Sequence, residues 1–409
     1  MNDIPKLWNA NFIKVSAANF LLFFAFYLLM PLLPLYLHDT FGSTKDVIGA
    51  VLSGYVVAAL IARPFSGYLV DTFPRRQVLL ICYFFFFIFF AGYLAAGTLL
   101  LFGIVRTLHG VPFGALTVSN STVAIDVLPS SRRTEGIGYY GLSNNLAMAT
   151  GPTVAIYLFN WVGSYEVLFW AAFIIAGIGL WVDATVKLKP RPKVEGKRPV
   201  SLDRFFLVAG TLLFLNMVAF GYSYGVLSTY LAIYAKETMG VTSGTGTFFL
   251  ILAVGLMLSR LQGASALRKG RVVHNASMGM CISLVGYTIF ILMPTLGNSQ
   301  FFTFHFSLFT TIGYYGSALL IGLGNGHLWP AFQNMMINMA HHNERGTANS
   351  TILISWDIGM GLGILLGGIL AELYGYAVAF WTVAAVNLVG VMLYFVRSQS
   401  FFLQRQIKE

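Results

Sequence analysis

Charged side chains make up only 10% of this chain of 409 residues, far fewer than a water-soluble fold of that length keeps on its surface. Cysteine is almost missing too. Cys82 and Cys281 are the only two, each inside an apolar run, which argues against a disulfide framework and leads to the expectation of two small buried apolar residues. No Gly-x-x-x-x-Gly-Lys-Ser/Thr loop is present to cradle a nucleotide, which argues against direct ATP-driven work. No His, Cys and carboxylate set has metal-ligand spacing, and His341-His342 reads as polar loop surface. No nucleophile–base arrangement stands out, and Ser or Thr inside a helix usually bonds its own backbone. The expectation is a protein that is not an enzyme and needs no cofactor.

What is present is apolar length. Hydrophobic residues make up 57% of the chain, with a mean hydropathy of +0.74. A membrane-spanning helix takes about 20 apolar residues. Twelve runs qualify: 11–37, 46–70, 77–97, 100–127, 135–160, 164–186, 204–235, 243–266, 272–293, 308–339, 347–372 and 376–397. Short alternating segments of the kind that build a membrane barrel are not seen. The expected fold is therefore an all-α membrane protein of twelve transmembrane helices. The first run is too long for a cleavable leader and lacks a small-residue cleavage site, so it reads as the first span.

The net charge of +10 invites a nucleic-acid partner, and its distribution argues against one. Basic residues collect in alternate loops: Arg75 and Arg76, Arg132 and Arg133, Lys187 to Arg198, Arg268 to Arg271, and the carboxyl-terminal tail. The intervening loops hold little beyond Lys45 and Lys236. This is the positive-inside pattern, and it puts both termini and the 187–203 connection in the cytoplasm, as an even span count also requires.

The chain also repeats itself. Leu33-x-x-Tyr36-x-x-Asp39-Thr40-x-Gly42 returns as Leu231-x-x-Tyr234-x-x-Glu237-Thr238-x-Gly240, and Tyr165-x-Val167-x-Phe169-Trp170 as Tyr376-x-Val378-x-Phe380-Trp381. Gly110, Gly114 and Gly151 match Gly322, Gly326 and Gly363. Residues 1–186 and 204–409 are thus two six-helix bundles joined by a basic, Pro-containing linker over 187–203. The second half is longer around Pro294–Thr310, a Phe-rich connection that reads as a capping or interfacial segment. Two related bundles facing one another make the kind of polar cleft that secondary transporters use.

Two charges fall inside spans. Arg106 lies within the fourth run, and a charge at mid-bilayer costs about 2.5–3.5 kcal/mol on insertion scales. Asp357 lies deep in the eleventh, where the first half has Asn145 at the matching place. Intramembrane charges are functional by default. Asp357 reads either as a proton carrier or as the partner of an arginine such as Arg63 or Arg260.

The loop Gly67-Tyr-Leu69-Val-Asp71-Thr72-Phe-Pro74-Arg75-Arg76 resembles the signature loop of the major facilitator superfamily, with Thr72 and Pro74 departing from it. A second copy, Gly263-x-x-x-Leu267-Arg268-Lys269-Gly270-Arg271, lacks the acid. Arg106-x-x-x-Gly110-x-x-x-Gly114 resembles the superfamily's fourth-helix signature, and Gly151-Pro152 partly matches the motif of its antiporters. Tyr27-Leu-Leu-Met-Pro31 and Arg63-Pro64-x-x-Gly67 resemble the bacterial drug:proton antiporter or arabinose-efflux-like branch.

The resemblance implies a proton-coupled exporter of a small amphipathic compound, working by alternating access as a monomer in a bacterial cytoplasmic membrane. Its cavity would be lined by Asn19, Tyr27, Arg106, Asn216, Tyr222, Tyr224, His327, Trp329 and Gln333, with His109 and Asn120 nearby. Proton coupling would fall to Asp357 and Arg106, and a cytoplasmic gate to Gly67, Asp71, Arg75, Arg76 and Asp126, with Arg75 paired to Asp126. The rival readings are a proton symporter importing a sugar or organic acid, and a non-transporting membrane sensor or enzyme.

Overall fold

A computed structural model describes residues 7–129, 133–188, 206–239, 244–268, 271–297, 306–340 and 345–406. The linker over 189–203, His341-His342 and residues 298–305 of the 294–310 connection lie outside the described residues. Among the described residues there are helices and no strands. Nine helices there are long and apolar enough to cross a membrane.

The chain divides into two compact units, residues 1–43 with 51–198, and residues 44–50 with 199–409. Helices α1 (Ala10–Leu29), α2 (Leu33–Phe41), α3 (Lys45–Thr72), α4 (Arg75–Ala95), α5 (Leu99–Val127), α6 (Arg133–Val162) and α7 (Tyr165–Ala184) belong to the first, apart from the opening turns of α3. The second holds α8 (Thr211–Met239), α9 (Thr245–Arg268), α10 (Val272–Gly297), α11 (Phe306–Asn338), α12 (Arg345–Tyr374) and α13 (Tyr376–Leu393), then one π turn and α14 (Gln399–Arg405).

The first apolar run is not one helix, as 11–37 suggests, but two. It breaks at residues 30–32, around Pro31, because proline lacks the N–H that an uninterrupted helix needs. Pro34 then sits in the first turn of α2, where that N–H is not missed. Asn9 starts α1 by accepting the Phe12 amide at 2.9 Å. Gly42, at φ 63°, ends α2 in the left-handed conformation that a residue without Cβ adopts freely.

The two halves of the repeat build the same contacts twice. The duplicated motifs touch each other inside each unit: the Tyr36 ring lies 5.1 Å from Phe169, and the Tyr234 ring 4.3 Å from Phe380. Gly163 and Gly375 turn the chain at φ 73° and 87° just before α7 and α13. A Cβ on Gly110 would strike the Tyr55 carbonyl oxygen and one on Gly114 that of Ala59, so α5 meets α3 backbone to backbone. Gly322 and Gly326 face the Leu252 and Leu256 carbonyls in the same way, bringing α11 onto α9. Gly151 against Tyr27 and Gly363 against Tyr222 repeat the arrangement between α6 and α1 and between α12 and α8. Small residues at such spacing are how helices associate in lipid, which offers no hydrophobic drive to bring them together.

The outer faces are apolar, with Ile61, Phe65, Leu100, Trp181 and Val389 exposed, while Asn19, Arg106, Asn120, Asn216 and Asn387 are buried. A protein dissolved in lipid has to distribute polarity this way.

Gly110→Ala and Gly322→Ala should each lower stability by about 1–3 kcal/mol, as overpacking does. Gly141, where an added Cβ would meet nothing within 4 Å, should tolerate alanine or gain slightly. Thermal unfolding of the purified variants in one detergent checks the contrast.

Candidate functional site

Arg106 projects from the first third of α5 and is 4% exposed. Its surroundings are aromatic. Nη1 donates to the Tyr93 hydroxyl at 3.1 Å, and the guanidinium lies over the Tyr55 ring at 4.1 Å, with Phe26 and Tyr93 rings at 5.9 Å. A desolvated cation over such faces gains about 2 kcal/mol. The same Tyr93 hydroxyl meets His109 Nδ1 at 2.7 Å. One phenol on α4 thus links two basic side chains on successive turns of α5. Tyr27 packs beside this cage, its ring 5.0 Å from Phe26.

Asn19 on α1 belongs to a different polar cluster of the same unit. Its amide donates to Ser143 Oγ at 2.8 Å and its oxygen accepts from Tyr140 at 2.8 Å. Asn120 is fully buried on α5. Pro152 lies inside α6, which runs on to Val162.

At one end of this unit Arg75 Nη1 contacts both carboxylate oxygens of Asp126, tying the start of α4 to the end of α5. Arg76 donates to the Ala184 carbonyl at 2.8 Å, and Lys14 to that of Thr185 at 3.3 Å. Both cations therefore cap the carboxyl terminus of α7, where a helix gathers negative partial charge. Gly67 and Asp71 are in α3, and their side-chain surroundings lie outside what the structure describes.

In the second unit Asp357 is 6% exposed on α12. Its neighbour Trp356 packs 5.5 Å from the Tyr224 ring and 5.3 Å, edge-on, from that of Trp329. Three helices thus bring aromatic groups together one residue from the acid. Tyr222 shares a hydrogen bond with Thr382 at 2.7 Å, and Asn216 donates to the Gly390 carbonyl at 2.7 Å. His327 Nδ1 meets Asn275 Oδ1 at 2.7 Å, so its ring is held inside the bundle. Gln333 is half-buried further along α11.

The structure therefore joins Arg75 to Asp126 and gathers Tyr224 and Trp329 around Trp356. Asn216, Tyr222 and His327 bond to groups that sequence reasoning does not single out. It also reveals groups that sequence reasoning passes over. Tyr93 was visible only as a hydroxyl at the end of a Phe-rich helix, and a buried phenol usually needs a partner. Asn275 was visible as an amide at the head of an apolar run. Asp183 falls at the end of the sixth run, where an acid attracts no notice, yet it is fully buried.

These features accord with the comparisons. The family model of the Major Facilitator Superfamily matches residues 15–319 and 279–401. The staphylopine export protein of Staphylococcus aureus is 24% identical over 379 residues, covering 89% of this chain and 90% of its own. The MFS-type transporter YhhS of Escherichia coli is 24% identical over 399 residues, 94% of this chain and 91% of its own. Among solved structures, a peptide transporter POT aligns with a TM-score of 0.77 at 13% identity over 97% of this chain and 95% of that one. The nucleoside transporter NupG aligns with a TM-score of 0.73 at 16% identity over 95% and 99%. With its duplicated glycine crossings, polar interior and apolar exterior, this multi-pass membrane protein belongs to the Major Facilitator Superfamily and is a transporter, not an enzyme.

Proposed function

We propose that this transporter exports a small amphipathic compound in exchange for protons by alternating access. The observation that carries the reading is a pair of ionisable side chains buried in membrane spans, Arg106 in one unit and Asp357 in the other. A transporter gains nothing in stability by placing them there, since charges in spans are costly. Their surroundings fit an amphipathic ligand. Arg106 offers donors set among aromatic faces, and Asp357 follows Trp356, which packs among tryptophan and tyrosine rings. Aromatic walls with a few placed polar groups are the usual make-up of a small-molecule site. The export direction is supported by the likeness to the staphylopine export protein, and the partial Gly151-Pro152 motif points the same way.

In this reading Asp357 takes up the proton that substrate release leaves room for, and Arg106 holds an electronegative part of the cargo. Tyr93 fixes the guanidinium and couples it to His109 through one hydroxyl. The Arg75–Asp126 pair belongs to the gate on the cytoplasmic side, where the positive-inside pattern puts it.

Transport by the reconstituted protein should be driven by an imposed pH gradient and should deplete, not load, energised cells. Asp357→Asn should abolish the response to the gradient. Transport indifferent to the gradient, or full coupling in Asp357→Asn, would refute the proton claim, and accumulation would reverse the direction. Tyr93→Phe should cost about 1.5–3 kcal/mol of stability, the range for a hydrogen bond to a charged group. It should also weaken binding of any ligand that protects the wild type in a thermal-shift screen.

A further inference from the structure

Asp183 has no part in the mechanism above, and its setting is unusual. Its side chain has no exposed surface, and neither carboxylate oxygen has a hydrogen-bond partner. Burying a carboxylate in this way costs several kcal/mol unless a donor or cation compensates.

Among the described residues, four polar side chains on the helices packed against α7 are committed elsewhere. From α1, Lys14 spends its ammonium on the Thr185 carbonyl. From α4, Arg76 donates to the Ala184 carbonyl and Tyr83 donates to the Ala18 carbonyl at 3.2 Å. From α6, Tyr140 donates to Asn19. Lys14 and Arg76 are thus directed at the backbone of the next two residues, not at the acid, and Lys187 lines the same end of α7. The residues that follow Asp183, 184–188, line an open cavity of about 500 Å³ with Lys14 and Arg76, and Asp183 itself is not among its lining residues.

We propose that Asp183 is a proton-binding site of the first unit, held as the neutral carboxylic acid in this arrangement and exchanging its proton with water through the cavity at the end of α7. The O–H bond breaks, the proton passes to cavity water, and the carboxylate left behind gains a cation when Lys14 or Arg76 turns from the α7 carbonyls towards it. The proposal adds a site for the ion to the proton-coupled reading. It rests on that reading only for the use made of the proton.

Infrared spectroscopy of the purified full-length protein tests it without any transport step. At neutral pH the wild type should show the carbonyl-stretch band of a protonated carboxyl that is lost in Asp183→Asn and kept in Asp357→Asn. A spectrum unchanged by Asp183→Asn would overturn the proposal. Asp183→Glu covers the case in which the amide variant does not fold: the band should move to the position of a glutamic acid, and a band that stays put overturns the assignment. Gradient-driven transport, measured alongside, separates the two ideas. A wild type indifferent to the gradient whose band still depends on Asp183 refutes the coupling and upholds the site. Gradient-driven transport in a wild type whose band ignores Asp183 upholds the coupling and overturns the site.

Discussion

Inside a bilayer a polar group has no water to fall back on, and most of this structure follows from that constraint. Helices satisfy their own backbone. Polar side chains must be satisfied by neighbouring helices, which requires those helices to come close. The paired glycines do this. Gly110 and Gly114 seat α5 on the α3 backbone near Tyr55, and that approach is what lets Arg106, one turn away, reach the Tyr55 ring. The hydrogen bond from Arg106 to Tyr93 comes from another neighbour, α4. One close crossing thus makes a buried guanidinium tolerable.

The same solution appears in the second unit with different chemistry. Gly322 and Gly326 draw α11 onto α9, while His327, the next residue, is held by Asn275 from α10. The backbone scheme of the repeat is kept and the polar cargo it carries has changed: arginine and histidine around a phenol in one unit, histidine and amide in the other. Duplication supplies the scaffold, and divergence within it supplies two different polar interiors. A fold shared with peptide and nucleoside transporters at 13% and 16% identity says the same on a larger scale, since substrate choice lies in such side chains and not in the helices that present them.

At the end of α7 the constraint takes another form. The last carbonyls of the helix, which carry its negative pole, are met by Lys14 and Arg76 from two other helices. Arg75, next to Arg76, turns to Asp126 instead. Adjacent arginines at the head of α4 therefore do separate work, one on a helix terminus and one on a carboxylate. In a loop signature they look like one basic patch.

The solvent, the helical class, the duplication, the matched glycines and the presence of charges at Arg106 and Asp357 are all legible in the chain alone. Each is a local or periodic property: apolar length, alternating loop charge, identity at a fixed spacing. The end of α1 is not legible in that way, because the interruption at Pro31 sits inside an unbroken apolar run. Nor are the partners of the buried charges. That Arg106 rests on tyrosines, that His327 is tied to Asn275 and that Asp183 is sealed from donors are facts about residues from different helices. Packing settles them, because a buried polar group is defined by what surrounds it in space and not by what precedes it in the chain.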